Sequence, residues 1–294
     1  MVRLSGSIST VGVEDKDYAM TMMVSYAQYQ EDVMLWRALN DIKSGFYVDV
    51  GACNPVSESV TKHFYDQGWR GINIDPVRSY IDMFERERPR DINLNFAISD
   101  QPGSIILYEV IGTGLSTTIT KYADNCRARG LEVRSYEVPT KTLTEVLADH
   151  PVEEIHFLKI DTEGAEKSVL SGIDLDIYRP WIVAVESTIP LTYTPIYQEW
   201  EALLLNRDYV FAASHEINRF YVAVERAPLA ERFKIPIDIY RLHADVQEIE
   251  RLQAELTQKE ALTAHLQESI DRRPRWASLL ALLTNRARRP NKVK

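Results

Sequence analysis

The feature that most constrains the fold is an alternation between short apolar runs and helical stretches. The apolar runs are FYVDV (46–50), GINID (71–75), NFAIS (95–99), IHFLKID (155–161) and WIVAVES (181–187). Nearly continuous apolar strands of this kind are typical of parallel sheets that helices cover on both faces. The sequence therefore predicts an α/β fold with a mostly parallel sheet.

Two places in the chain break this regular repeat. The runs DYVFAAS (208–214) and RFYVAVE (219–225) are joined by HEIN, which is too short for a parallel crossover. They predict an antiparallel hairpin at the end of the sheet. A mostly parallel sheet that ends in this way resembles the class I methyltransferase fold, which is Rossmann-like. The turn signal Gln101-Pro102-Gly103 predicts a further hairpin between NFAIS and SIILYEV (104–110).

Composition sets limits on the class of protein. Of the 294 residues, 45% are hydrophobic and 26% are charged, which is enough to form a buried core. The two cysteines, Cys53 and Cys126, and the lack of an apolar run of about 18 residues argue against a disulfide framework and a membrane span. We therefore expect a cytoplasmic protein. The net charge of −9 argues against broad nucleic-acid binding, which needs a basic face.

The chain is expected to contain five parts. They are an N-terminal arm (1–24), an α/β domain (25–226) that begins with a helix over 26–39, a packed linker (227–240), a helix (241–270) and a basic amphipathic tail (271–294). Heptad spacing of Leu242, Ile249 and Leu256 predicts a coiled coil that makes a homo-oligomer, with a lone helix lying on the domain as the alternative. The tail could touch anionic lipid at the inner face of the membrane, bind a partner or be a disordered end.

The stretch VDVGACNPVSES (48–59) predicts a ligand-binding turn. Asp49, Gly51 and Ala52 lie at the carboxyl end of the first strand, and ligands of open α/β sheets lie beyond the carboxyl ends of strands. Asn54 is predicted to cap a helix in which Pro55 is the first residue. The positive end of that helix would then favour a carboxylate or phosphate at the turn.

A second acidic residue predicts that the ligand contains a ribose. Asp75 ends the second apolar run and is followed by Pro76, and an acid at this distance accepts hydrogen bonds from ribose hydroxyls. Ser99, in AISD (97–100), is expected to border an adenine. Because the chain lacks GxGxxG here, a dinucleotide is disfavoured. Together these residues predict a nucleoside-binding site.

Several longer blocks resemble the FkbM family of S-adenosylmethionine-dependent methyltransferases. The resemblance spans roughly residues 25–240, and the blocks are SYAQYQEDVMLWRAL, FYVDVGACNP, SVTKHFYDQGWRGINIDP, FLKIDTEGAEKSVLSGID and INRFYVAVE. It implies a class I methyltransferase fold, S-adenosylmethionine as cofactor and methylation of a hydroxyl oxygen, often in glycan biosynthesis. Asp32 lies in a matching block and is expected to close the cofactor pocket. Cys53-Asn54-Pro55 departs from the family's usual DVGAN pattern.

Methyl transfer to oxygen needs a group that takes a proton from the acceptor. Asp161 and Glu163, where KIDTEGAE passes from a strand to a helix, are the first candidates, and Glu186 could complete an acidic cluster. His215 in the hairpin turn is another candidate base. Asp161, Glu163 and Glu186 could also bind a divalent cation through oxygen. Helix capping and solvation are the alternative roles for these acids.

We therefore expect an S-adenosylmethionine-dependent O-methyltransferase that acts on a sugar or glycoconjugate acceptor. A nucleotide-sugar oxidoreductase is the alternative enzyme. A non-catalytic scaffold, built from a methyltransferase-like domain and a coiled coil, is the alternative without activity. The acceptor and the number of strands in the coiled coil are left open by the sequence.

Overall fold

The computed structural model describes residues 23–234 and 239–271. Within these residues the chain forms two compact units, an α/β unit and a C-terminal helix. Most of the predicted arm (1–24), almost all of the predicted tail (271–294) and residues 235–238 of the predicted linker lie outside the described residues. The division into five parts therefore stays a prediction.

The strands of the α/β unit form two sheets. Their bounds in chain order are β1 Phe46–Val50, β2 Arg70–Ile74, β3 Ile92–Leu94, β4 Ala97–Ile98, β5 Gly103–Val110, β6 Val133–Lys141, β7 Phe157–Ile160, β8 Ile182–Glu186, β9 Tyr209–His215 and β10 Asn218–Ala223. The larger sheet has seven strands in the order β3-β2-β1-β7-β8-β10-β9, and the smaller has the order β4-β6-β5.

The larger sheet is parallel from β3 to β8. Strand β10 runs antiparallel to both β8 and β9, so the predicted closing hairpin inserts its second strand next to the parallel part. The prediction of a mostly parallel α/β sheet that ends in an antiparallel hairpin is confirmed. This is the Rossmann-like arrangement of methyltransferases.

The predicted hairpin between 95–99 and 104–110 is wrong. Strand β5 pairs with β6 along its whole length, and β4 pairs with β6 in parallel, so β6 lies between the two segments that were expected to pair. The third strand of the larger sheet is β3, a few residues before the predicted 95–99. The sequence does not predict β6, because VRSYEVPTK is mostly exposed and contains Pro139.

The bounds of the described helices are α1 Glu31–Leu39, α2 Lys62–Asp66, α3 Arg78–Glu87, α4 Thr120–Ala128, α5 Leu143–Asp149, α6 Glu166–Ser171, α7 Glu201–Leu205, α8 Pro228–Arg232 and α9 Ile239–Asp271, with 3₁₀ turns at Tyr197–Glu199 and Val224–Arg226. Helices α1 to α8 belong to the α/β unit and cover its sheets, whereas α9 belongs to the C-terminal unit. Helix α1 begins five residues later than predicted. Asp32 explains the difference, because its carboxylate accepts hydrogen bonds from the Ser25 hydroxyl and the Tyr26 amide and so holds the preceding segment in a turn.

The predicted helix at Asn54-Pro55 is also wrong. Asn54 accepts hydrogen bonds from the amides of Val56 and Ser57, which forms a turn, and the next helix, α2, begins only at Lys62. The buried guanidinium of Arg88 explains why the segment stays irregular. It donates to the Pro55 carbonyl and to the hydroxyls of Ser59 and Thr61, which holds the backbone in a loop.

The core lies on both faces of the larger sheet, as successive side chains of its strands point to opposite sides. One face includes Tyr47, Phe157, Ile182, Ala184 and Phe220. The other includes Val48, Val50, Leu158, Ile160 and Val183. The carboxyl ends of these strands thus become a rigid platform for polar residues.

The described part of the C-terminal unit is a helix of 33 residues, α9. Between 251 and 268 its leucines are strongly exposed, namely Leu252, Leu256, Leu262 and Leu266. A helix was expected here and is present, whereas the coiled coil stays a prediction. Among the described residues, no helix is both long and apolar enough to cross a membrane.

Candidate active site

A cavity of about 490 Å³ opens beyond the carboxyl ends of β1, β2 and β7. Its walls come from the turns that follow these three strands, from the smaller sheet and from the loop 112–118. This is where open α/β sheets bind ligands, and the volume lies in the usual range for small-molecule sites. The cavity is therefore the candidate active site.

The sequence-predicted residues fall into two groups. Those that line the cavity are Gly51, Ala52, Asp75, Pro76, Asp161 and Glu163. Those that lie outside its lining are Asp32, Asp49, Asn54, Ser99, Glu186 and His215. The first group shares one wall, at the ends of three neighbouring strands, and the second is described below residue by residue.

Asp75 follows β2 and is 6% exposed. One carboxylate oxygen accepts a hydrogen bond from the Val77 amide at 2.8 Å, and the other accepts one from the Cys53 amide at 2.9 Å. Burial raises the pKa of the Asp75 carboxyl to about 6, although the two amides oppose the rise. Each oxygen keeps further acceptor capacity for a ligand hydroxyl.

The turn after β1 uses its amides within the protein. The amides of Gly51 and Ala52 both donate to the Ile74 carbonyl, at 2.9 and 3.2 Å. Since the Cys53 amide is taken by Asp75, three successive donors are occupied. The expectation that this turn and a following helix would hold an anion is therefore wrong, because α2 is short and begins far from the turn.

Asp49 lies beneath the cavity and not in its wall. It is 1% exposed, accepts a hydrogen bond from the Thr61 hydroxyl at 3.1 Å and lies 3.4 Å from the Lys159 ammonium. Lys159 also donates to the Gly51 carbonyl at 2.8 Å and lies 3.5 Å from Asp161. Burial favours the neutral form of Lys159, but Asp49 and Asp161 outweigh it and raise the pKa of the ammonium.

The loop after β7 carries Asp161 and Glu163 into the cavity. Glu163 has a φ of 53°, and Gly164, at φ 102°, packs directly against the ring of Tyr122. Glu166 stabilises this unusual turn, because one of its oxygens accepts from the Thr162 amide and hydroxyl and from the Gly164 amide. Glu166 is 1% exposed, so its role is to shape the loop.

Asp161, Glu163 and Glu186 form an acidic cluster beside the cavity. One oxygen from each lies within 4.8 Å of the others. Glu186 ends β8 next to β7, behind the two cavity residues, and is 4% exposed. Burial, followed by the neighbouring carboxylates, raises the pKa of both Glu163 and Glu186 well above the usual range. Such a cluster can take up a proton or a cation.

The opposite wall of the cavity is largely apolar. Phe96, Ala97, Ile98 and Leu107 come from the smaller sheet and its entry, and Tyr80 comes from α3. The Tyr80 hydroxyl donates to the Thr113 carbonyl at 2.6 Å, which ties α3 to the loop 112–118. A flat apolar ring could lie between this wall and the polar turns.

Two residues that were predicted to bind the cofactor make hydrogen bonds elsewhere in the fold. Asn54 closes the turn 54–57, as described above. Ser99 lies after β4 and interacts with Asp100 and Ser168, which points its hydroxyl toward α6 and away from the cavity. Ile98 and its neighbours Phe96 and Ala97 line the cavity, whereas Ser99 does not.

Asp32 and His215 are also separated from the cavity. Asp32 is fully buried and binds the segment before α1, so it does not close the pocket. Gln28, from that same segment, lines the cavity instead. His215 ends β9, the edge strand, which β10 and β8 separate from β7. Its position makes it a poor candidate for a base at the cavity.

Lys159 is the residue that sequence reasoning missed. It stands in KIDTEGAE, but only the acids of that block were assigned roles. A lysine inside an otherwise apolar strand is itself a signal, since lysine is almost never buried without a charged partner. The apolar wall was missed because the pairing of β4 and β5 through β6 was not predicted.

Comparison with known proteins decides the family. The family model described as Methyltransferase FkbM domain matches residues 49–211. The chain belongs to the FkbM methyltransferase family. No curated protein matches it. The matched part of the FkbM domain contains every cavity residue discussed above except Gln28, together with Glu186 and Lys159. The resemblance inferred from the sequence is thus confirmed.

Proposed function

We propose that the protein is an S-adenosylmethionine-dependent O-methyltransferase that acts on a sugar hydroxyl in glycan or glycoconjugate biosynthesis. The cavity is the observation that supports the proposal. Asp75 lines it together with Asp161 and Glu163, and all three lie within the FkbM domain. Methyltransferases of this kind typically use S-adenosylmethionine. Family membership also favours this proposal over the nucleotide-sugar oxidoreductase.

The residues of the cavity fit the cofactor in chemical type. Asp75 would accept hydrogen bonds from the ribose hydroxyls, and Phe96, Ile98 and Leu107 would pack against adenine. Lys159 and Gln28 would meet the charged carboxylate and amino groups of the methionine part. The volume of about 490 Å³ is adequate for a nucleoside of this size.

The chemistry divides between the cofactor and the protein. When bound, the cofactor supplies a methyl group that its sulfonium already activates. The protein then has to orient the acceptor oxygen and remove its proton. Orientation can lower the barrier by about 7 to 11 kcal/mol. A positioned base raises the rate by a factor of about 10² to 10⁴. Asp161 is the proposed proton acceptor, because it lines the cavity and Lys159 lies 3.5 Å away to hold it in place.

Calorimetric titration tests the cofactor part of the proposal. The wild-type chain is expected to bind S-adenosylmethionine and its demethylated product saturably, and Asp75→Ala is expected to weaken both by at least about tenfold. Glu132→Gln, on an exposed carboxylate paired with Arg134, is the control and should bind as the wild type does. Absence of binding by the wild type would leave the non-catalytic scaffold as the better account.

The remaining proposals concern assembly and location. Helix α9 is proposed to join copies of the chain through its exposed leucines. A cytoplasmic location is proposed because the chain has only two cysteines, and contact of the basic segment 271–294 with the inner face of the membrane is proposed from its charge.

A further inference from the structure

We propose that Asp161, Glu163 and Glu186 bind one divalent cation at the edge of the cavity. They come from two neighbouring strand ends, the loop after β7 and the last residue of β8. All three offer carboxylate oxygens, which are the ligands of hard cations such as Mg²⁺, Mn²⁺ and Ca²⁺. The binding itself stands on the geometry below, whereas a part in methyl transfer rests on the proposed function.

The spacing of the oxygens suits a single ion. One oxygen from each residue lies within 4.8 Å of the others. Two oxygens bound to the same Ca²⁺ at about 2.3 to 2.6 Å are at most about 5 Å apart. The three side chains can therefore reach a larger hard cation with little movement, and Mg²⁺ with a slight contraction.

An unpartnered oxygen provides the second, independent observation. The Glu186 side chain is more than nine-tenths buried, and its Oε2 atom has no hydrogen-bond partner among the described residues. The Oε2 atom of Glu163 is likewise buried and without a partner in the described part of the chain. Buried acceptors of this kind are costly unless something binds them.

The charge balance around the cluster points the same way. Lys159 is the cation nearest to it, and that ammonium already faces Asp49 and Asp161 and donates to the Gly51 carbonyl. Within residues 23–234, no ion pair links Glu163 or Glu186 to a basic side chain. Glu166, next to them, adds a further carboxylate. A bound cation would balance charges that the protein leaves unopposed.

A proton shared between two carboxylates is the alternative explanation. One proton partners one pair of oxygens, so it would leave the third carboxylate without a partner. A cation bonds to all three at once. Glu163 and Asp161 also line the cavity, which leaves room for water or an acceptor oxygen on the open side of the ion. An acceptor hydroxyl bound to the ion would be more acidic, and the Asp161 oxygen that does not bind the ion would take its proton.

Titration of the full chain with Mn²⁺, followed by electron paramagnetic resonance, tests the inference. We expect one bound Mn²⁺ per chain, displaced by Mg²⁺ or Ca²⁺. Glu186→Gln keeps the size of the side chain and is expected to weaken Mn²⁺ binding by at least about tenfold. Glu132→Gln should leave Mn²⁺ binding unchanged, since Glu132 is exposed and pairs with Arg134.

Each possible result of these titrations either supports or overturns the cation site. Absence of stoichiometric Mn²⁺ binding, or equal binding by wild type and Glu186→Gln, would overturn the inference in favour of a shared proton. If Glu186→Gln does not fold by circular dichroism, Glu163→Gln replaces it with the same expectation. Calorimetry with S-adenosylmethionine separates the two proposals. Mn²⁺ binding without cofactor binding would refute only the proposed function, and the reverse would refute only the cation site.

Discussion

Lys159 links Asp49, which is buried beneath the cavity, to Asp161, which lines the cavity. Its ammonium faces Asp49 beneath the cavity and Asp161 within it, and its donation to the Gly51 carbonyl fixes the turn after β1. Removing one member of a buried ion pair leaves the other charge without compensation. The stability of the fold and the position of Asp161 thus depend on the same side chain.

Lys159→Met should therefore destabilise the protein by about 3 to 5 kcal/mol, because Asp49 is 1% exposed and loses its cation. Urea unfolding followed by circular dichroism measures the change. Lys141→Met is the matched control, since Lys141 and Asp149 form an exposed pair, and it should unfold as the wild type does. Equal stability of Lys159→Met and Lys141→Met would show that the buried pair is not needed.

Asp75 predicts a pH dependence of cofactor binding. Burial raises its pKa to about 6, so the carboxylate that would accept from ribose is lost as the pH falls through that value. Affinity for S-adenosylmethionine at pH 5 should be about tenfold lower than at pH 8. Asp75→Asn should abolish most of this dependence. Calorimetry over pH 5 to 8 measures it, and an unchanged dependence in the variant would exclude Asp75 as the cause.

The raised pKa of Asp75 affects the stability of the fold in the opposite direction from its effect on cofactor affinity. The folded pKa of about 6 lies above 3.8, the ordinary pKa of an aspartate, so the folded state binds the proton more tightly than the unfolded state. The contribution of Asp75 to stability is therefore fully present below pH 3.8 and is lost as the pH rises through about 6. Cofactor affinity and intrinsic stability should thus respond to pH in opposite directions at this residue.

The turn after β1 shows how closely two elements approach. Gly51 has a φ of 76°, and a Cβ atom there would collide with the Asp161 carbonyl oxygen. Gly68 has a similar φ of 91°, but a Cβ atom there would meet nothing within 4 Å. Substitution of Gly68 therefore measures only the cost of the backbone conformation. Substitution of Gly51 adds the cost of a steric clash between the ends of β1 and β7.

Gly51→Ala should reduce the free energy of unfolding clearly more than Gly68→Ala, which should cost only about 1 kcal/mol. The added methyl group would push the ends of β1 and β7 apart, so Gly51→Ala should also lose S-adenosylmethionine binding while Gly68→Ala retains it. Urea unfolding and calorimetry measure the two effects. If both variants unfold alike and bind alike, the two strand ends are not in the contact described.

Sequence reasoning succeeded for elements whose pattern is dictated by burial. β1, β7, β8 and β10 are almost wholly buried, β9 is a nearly continuous apolar run at the sheet edge, and the lengths of these strands were predicted to within a few residues. It failed where polar contacts decide the structure. β6 is largely exposed, and the loop 54–61 is held by Arg88, which is distant in sequence. Long-range hydrogen bonds of this kind leave no local pattern in the chain.

The candidate site was predicted in part for the same reason. Asp75, Asp161 and Glu163 follow buried strands directly, so their place at one edge of the sheet could be inferred. Ser99 and His215 also follow strands, but those strands lie in the smaller sheet and at the outer edge. Strand order depends on pairing between distant segments, which the local sequence does not encode.

At the scale of the whole molecule, α9 predicts self-association. Its leucines at 252, 256, 262 and 266 are between 49% and 58% exposed, and a row of exposed apolar side chains along one helix indicates an interaction surface. The chain should sediment as an oligomer, and Leu252→Asp with Leu256→Asp should convert it to a monomer. Analytical ultracentrifugation measures this, with Ile177→Asp, another strongly exposed site, as the control that should not change it. A wild-type monomer would contradict the prediction.

Transfer of a labelled methyl group from S-adenosylmethionine to fractionated glycans tests the central claim most directly. The wild-type chain should transfer label to a glycan fraction as an ether that survives alkali, and Asp161→Asn should lose at least about a hundredfold in turnover while still binding cofactor. Label that alkali releases, label found only in protein, or no label in any glycan fraction would contradict the account of this FkbM protein as a sugar O-methyltransferase.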